Sequence, residues 1–159
     1  MKKNFSELPL RKGVGIILLN DKNKVFVAKR IDNPKNFWQM PQGGIDVGED
    51  YYEAALRELK EETSVVSVEL IQEIDKKFTY ILPDHLIGII WKGKFKGQIQ
   101  KWFVMRFTGN ESEININTIK PEFLDWKWIN LDDLPKIAVK FKLEVYKNLR
   151  QEVSKIILN

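Results

Sequence analysis

One stretch constrains this chain more than any other. Gly43 and Gly44 lead into a segment that carries Glu49, Glu53, Glu58, Glu61 and Glu62, with one arginine, Arg57, among them. Tyr52, Ala55, Leu56 and Leu59 recur at core-facing helical spacing, so a helix is expected from about Asp50 to Thr63. Residues three and four apart share a helix face, which aims Glu58, Glu61 and Glu62 together. Like charges so placed repel by a few tenths of a kcal/mol per pair, about as much as a good ion pair contributes. Most acidic runs on helices are only a solvated face. Here the apolar stripe behind the acids and the glycines before them favour a hard divalent cation, which takes carboxylate oxygen together with water and phosphate. Arg57 lies eight residues beyond Glu49. That is too far for a pair within one helical turn, but close enough to reach back if Glu49 lies in the preceding loop.

The spacing resembles the Nudix box. That motif is a Gly, five residues, a Glu, seven residues, Arg-Glu, an aliphatic, any residue, Glu-Glu, any residue, Gly and an aliphatic. Gly43, Glu49, Arg57, Glu58, Leu59, Glu61, Glu62 and Val65 fall in register. The departure is Ser64, which stands where the family has a Gly that ends the helix in a left-handed conformation. The resemblance implies an α/β fold, the Nudix α/β/α sandwich with a mixed sheet between helices, spanning residues 1–159 as one domain with its box at 43–64. It also implies hydrolysis of a phosphoanhydride with Mg²⁺ or Mn²⁺. Glu58, Glu61 and Glu62 are then the catalytic acids and metal ligands, one of them also the base for water. Arg57 becomes an orienting partner of Glu49, and Gly43 joins the metal set.

Bulk properties agree with an ordinary globular protein. The 159 residues are 43% hydrophobic and 30% charged, enough for a substantial core. The absence of cysteine excludes disulfides, thiol catalysis and Cys-based zinc, and it fits a cytoplasmic protein. No signal peptide follows the basic start, and no apolar run reaches the roughly 18 residues of a spanning helix, so no membrane partner is expected. Charge is divided sharply. Segment 1–42 carries a net +6, 43–75 a net −8, 76–110 a net +6 and 111–159 none. An acidic centre flanked by basic segments suits a polyphosphate on a longer anionic body.

Along the chain, Val14–Leu19 and Val25–Ala28 flank a polar turn and read as a hairpin. Residues 37–42 read as an extended approach to the glycines. Strand-like runs follow at Val66–Ile74, Phe78–Leu82, Leu86–Trp91, Trp102–Phe107 and Trp126–Ile129, and a helix is expected from Phe141 to Ile157. Lys92, Lys94 and Lys96 read as one solvent-facing side of a strand. Trp91, Trp102, Trp126 and Trp128 read as core. His85 follows Pro83-Asp84 and reads as a surface residue.

Outside the box, the run from Phe37 to Gly44 resembles one Nudix branch, the bacterial RNA 5′-pyrophosphohydrolases and related dinucleoside polyphosphate hydrolases. Tyr80–Pro83, Gly97–Phe103 and Pro121–Trp128 agree with that branch. The resemblance adds Glu122 as a further metal carboxylate. It makes Arg11, Arg30, Gln42, Lys101 and Lys142 substrate contacts, with Phe141 as a stacking platform for a base. The expected substrate is the 5′-triphosphate end of RNA. The alternatives are a dinucleoside polyphosphate such as diadenosine tetraphosphate, or a non-catalytic RNA-binding module, which three intact glutamates oppose.

Overall fold

The computed structural model describes residues 5–32 and 37–158; the Lys2 and Lys3 of the basic start lie outside them. In chain order the elements are β1 (Leu10–Leu19), β2 (Val25–Arg30), β3 (Gln42–Gly44), α1 (Tyr51–Thr63), β4 (Val68–Glu73) and β5 (Phe78–Ile81). They continue with α2 (Asp84–Ile87), β6 (Gly97–Phe107), β7 (Phe123–Ile129), α3 (Leu134–Ile137) and α4 (Leu143–Leu158).

The seven residues of β1 from Gly13 onward are all buried, so both faces of that strand must be covered. Val14, Ile16 and Leu18 pack with Phe103 and Met105 of β6 and with Ala54, Ala55 and Leu59 of α1. Ile17 and Leu19 pack on the other face with Trp102 and Val104 of β6 and with Val145, Leu149 and Val153 of α4. Alternation along two strands therefore divides the core into two layers, one under each helix: an α/β/α sandwich.

The sheet runs β4-β6-β1-β2-β7, with β3 added to β1 and β5 to β6. It is mixed, because β1 and β6 are parallel from Leu10↔Gly97 to Leu19↔Arg106 while the other pairings are antiparallel. β3 occupies the first half of β1 and β5 the first half of β6, so both short strands lie toward the end where β1 and β6 begin.

One expected strand is absent. Residues 86–91 form the end of α2 and a 3-10 turn, Ile90–Gly93, instead of extended chain. Leu86, Ile87, Ile90 and Trp91 all pack on the core, and that spacing is helical. Lys92, Lys94 and Lys96 consequently lie on a turn and a loop, not on a strand face. Among the tryptophans, Trp102 is fully buried, whereas Trp126 and Trp128 are half-buried beside Phe26, and Trp91 is partly exposed. His85 is exposed within α2. Among the described residues, no helix is long and apolar enough to cross a membrane.

Candidate active site

The acidic helix starts and stops on local chemistry. Asp50 caps α1, its carboxylate accepting the Glu53 N–H at 2.7 Å. Ser64 ends it at φ 67°, with its N–H donating to Lys60 O at 2.9 Å and its hydroxyl donating to Asn115 O at 2.8 Å. A serine thus takes the left-handed position that the motif reserves for Gly, tied down by a bond from its own side chain.

Arg57 organises the loop before the helix. Its Nε and Nη2 donate to the two oxygens of Glu49 at 2.7 and 2.9 Å, and Nη2 also reaches Gly44 O at 2.9 Å. Hydrogen bonding from Arg57, aided by the Asp46 N–H, holds the Glu49 carboxyl down at about 2. Nη1 donates to Glu58 Oε1 at 2.9 Å and to Glu61 Oε2 at 3.2 Å.

The three helix glutamates differ in burial. Glu61 has a 58% exposed side chain, Glu58 is at 14%, and Glu62 as a whole residue is 3% exposed. Burial pushes the Glu58 carboxyl up to about 7 against the pull of Arg57, and the charges of Glu61 and Glu122 add to the rise. Burial raises Glu62 well above the ordinary carboxylate range, reinforced by Glu122 and Glu58. Its Oε2 is buried without a hydrogen-bond partner. Glu122 joins this group because β2 and β7 pair antiparallel, and Ile31 N donates to Glu122 O at 2.9 Å. Gly43 is packed so closely on the Glu58 carboxyl that any side chain there would overlap it.

Among the described residues no three acids are gathered as a ready-made metal cage. Two of the candidate ligands, Glu58 and Glu61, each have one oxygen on Arg57. The donor set nevertheless fits a hard cation. A buried carboxylate oxygen without a donor, beside two further carboxylates, is expensive to keep charged unless a cation compensates it. Mg²⁺ needs only one or two such oxygens when waters and phosphates complete its shell.

Cations face this acidic group. Arg30 forms a fork with Asp32 at 2.7 and 2.8 Å and feels the charges of Glu122 and Glu62. Lys142 is 8% exposed; burial and then Arg30 lower its pKa to about 7, while Glu62 and Asp32 resist the fall. Its ammonium lies 5.2 Å from the Tyr80 ring centroid, and Phe141 packs on Tyr80 at 5.6 Å. Arg30 and Lys142 also line a small cleft with Phe37, Trp38, Gln39 and Val139. Arg11 lies against Gly44. Lys101 is elsewhere: its ammonium is held by Asp75 O at 2.9 Å and Glu73 at 3.3 Å.

Sequence reasoning missed the amide network beneath the glycine loop. Gln98 and Gln100 of β6 are at most 1% exposed. Gln100 donates to Gln42 Oε1 at 2.7 Å and to Gln98 Oε1 at 2.9 Å, which also accepts the Tyr80 hydroxyl at 3.0 Å. Gln98 Nε2 reaches Gly43 O at 3.4 Å. Two glutamines two apart inside an apolar strand were the available signal, since buried amides need partners.

A sandwich that presents partly buried carboxylates on a glycine-led helix, opposite a buried lysine and a half-buried arginine, is an α/β protein with a site suited to a polyphosphate. The family profile described as NUDIX domain matches residues 9–149, and the chain belongs to the Nudix family. It is 60% identical to the RNA pyrophosphohydrolase of Pelagibacter ubique (strain HTCC1062) over 157 residues, covering 99% of each chain. It is 47% identical to the RNA pyrophosphohydrolase of Afipia carboxidovorans, covering 95% of this chain and 96% of that one. Among solved structures, the E. coli dihydroneopterin triphosphate pyrophosphohydrolase superposes with a TM-score of 0.68 at 19% identity, over 91% of this chain and 99% of that one. A C. elegans Ap4A hydrolase does so at 0.63 and 19%, over 90% and 98%.

Proposed function

We propose that the protein is a metal-dependent RNA pyrophosphohydrolase. It hydrolyses the 5′-triphosphate end of RNA to a 5′-monophosphate, releases pyrophosphate and so opens transcripts to decay in the cytoplasm. The observation that carries the chemistry is the partnerless buried Oε2 of Glu62 beside Glu58 and Glu122, facing Lys142 and Arg30. The choice of RNA is supported by 60% identity to a full-length relative of that name.

Glu58, Glu62 and Glu122, with Glu61 and Gly43 beside them, would hold Mg²⁺ or Mn²⁺. When bound, that ion would neutralise phosphate charge and act as a Lewis acid. The chain's own groups do the rest. Lys142, Arg30 and Arg11 bind and orient the triphosphate, placing a phosphorus where water can attack it. The water oxygen bonds to phosphorus, the bridging P–O bond breaks, and the water's proton passes to a carboxylate. Glu58, Glu61 and Glu62 are the helix carboxylates at hand for that transfer. Arg57 and Glu49 hold the loop and helix in register, and the Gln42–Gln98–Gln100–Tyr80 network supports β3 from below.

The test is direct competition. In Mg²⁺, a 5′-triphosphate oligoribonucleotide is expected to yield pyrophosphate and 5′-monophosphate RNA faster than diadenosine tetraphosphate is cleaved. Faster turnover of the dinucleotide would replace this reading with the dinucleoside polyphosphate hydrolase.

A further inference from the structure

The two basic segments meet at one end of the sheet. Because β1 and β6 run parallel, both begin there, and Lys96 seals the junction: its N–H donates to Pro9 O at 3.1 Å and its ammonium to Ser6 O at 3.0 Å. Arg11 of β1 lies over Trp91, 5.3 Å from the ring centroid, and Trp91 meets Phe95 edge-on at 6.1 Å. The same Arg11 guanidinium abuts Gly44, next to the Gly43 that packs on Glu58. The turn is therefore joined through a single side chain to the strand that borders the acidic centre.

Its backbone is unusual. Trp91, Lys92 and Gly93 are consecutively left-handed, at φ 54°, 56° and 72°. For a non-glycine residue this costs on the order of 1–2 kcal/mol, and such residues normally occur singly. The turn is closed by Lys94 N donating to Trp91 O at 3.2 Å. It turns the Trp91 ring inward against Arg11 and leaves Lys92 and Lys94 exposed, with Lys12 exposed next to Arg11 on β1. The one acid of segment 76–110, Asp84, is at the start of α2. Strain of this kind persists only where surrounding contacts enforce it, and it concentrates at binding sites.

We propose that the Trp91–Lys96 turn, together with Lys12, is a track for the single-stranded RNA chain beyond its 5′-terminal nucleotides, with Lys92 and Lys94 holding backbone phosphates. This rests on the RNA reading above. Exposed ammonium groups on a turn held by its inward-facing Trp91 ring suit a backbone-tracking, sequence-tolerant contact. The anionic partner is favoured by local charge: segment 76–110 carries seven basic residues and one acid, and Lys12, Lys92 and Lys94 are exposed around Arg11.

The test uses the Lys92→Gln/Lys94→Gln double variant, since both side chains are exposed and outside the catalytic set. For wild type, a triphosphate RNA of about twelve nucleotides is expected to show a lower KM than a triphosphate dinucleotide. The variant should lose that length advantage while its kcat and its dinucleotide KM stay unchanged. Losing two single-strand phosphate contacts lowers the slope of log affinity against log salt by about 1.4, so between roughly 50 and 200 mM salt wild type should weaken about 7-fold more than the variant. Equal losses on both lengths, or none on either, overturn the track. Binding of a 5′-monophosphate RNA of the same length separates the two readings: its weakening in the variant supports the track even if wild type does not cleave triphosphate ends, and unchanged binding rejects the track even if it does.

Discussion

Glu62 occupies a position that favours an apolar residue, on the buried arc of α1 with Ala54, Ala55 and Leu59. Its uncompensated oxygen costs the metal-free protein stability and provides the site with a ligand. Glu62→Gln should therefore separate the two effects. Turnover is expected to fall on the order of 100-fold or more, as for loss of a metal-organising group, with RNA binding largely retained. The metal-free variant should meanwhile melt at a higher temperature than wild type at neutral pH, because a buried amide carries neither the cost of an ionised carboxylate nor that of holding a proton on it. Calorimetry beside single-turnover kinetics reads both, and unaltered turnover would remove Glu62 from the chemistry. The acids themselves were legible because the motif fixes their spacing. Their unequal burial was not, since a helical wheel gives Glu58, Glu61 and Glu62 one direction but does not say how deep the neighbouring chain at Gln42, Gly43 and Glu122 places each of them.

At the scale of the element, the exit of α1 shows how a departure from a motif is accommodated. Ser64 adopts the left-handed geometry and its hydroxyl anchors Asn115 O. Ser64→Ala keeps the unfavourable φ and loses the bond, so about 0.5–1.5 kcal/mol of stability should disappear. Ser64→Gly loses the same bond but relieves the backbone by a similar amount, and should remain within about 1 kcal/mol of wild type. Urea midpoints at constant m decide; an alanine as stable as wild type would show that the hydroxyl contributes nothing. The strands β1, β2 and β7 and the helices α1 and α4 were readable from periodicity. Leu86–Trp91 was misread because a short apolar run is compatible with either a strand or a turn of helix, and only packing of Leu86, Ile87, Ile90 and Trp91 on one core decides between them. Gln98 and Gln100 escaped notice because their partners, Gln42 and Tyr80, lie on other strands.

Across the whole molecule, opposed titrations converge on the site. Glu58 is raised to about 7 and Glu62 well above its ordinary value, so in the folded state both hold protons that the unfolded chain releases near pH 4.5. Stability from Glu58 is thus complete below about pH 4.5 and is lost as pH rises through 7, by roughly 3 kcal/mol, and Glu62 acts in the same direction. Lys142 runs the other way: its pKa is lowered from 10.5 to about 7, so its buried charge penalises the folded state below pH 7 and the penalty is relieved above it. The metal-free melting temperature should fall from pH 5 to 7 and then level. Mg²⁺ or Mn²⁺ binds the ionised acids, so its stabilisation should be larger at pH 8 than at pH 5. A metal-induced shift of the same size at both values would contradict the assignment of Glu58 and Glu62 as ligands.

The sequence alone determined the chemistry on offer, because covalent spacing along one helix sets which carboxylates and which arginine can act together, and apolar periodicity sets a helix-covered sheet. Only the tertiary structure decided which of those groups face one another. The parallel pairing of β1 with β6 brings Arg11 to Trp91, the antiparallel pairing of β2 with β7 brings Glu122 beside Arg30, and the turn before α4 buries Lys142 near Glu62. Those juxtapositions join residues tens of positions apart, and their distances, desolvation and mutual charge exist only once the chain has closed on itself.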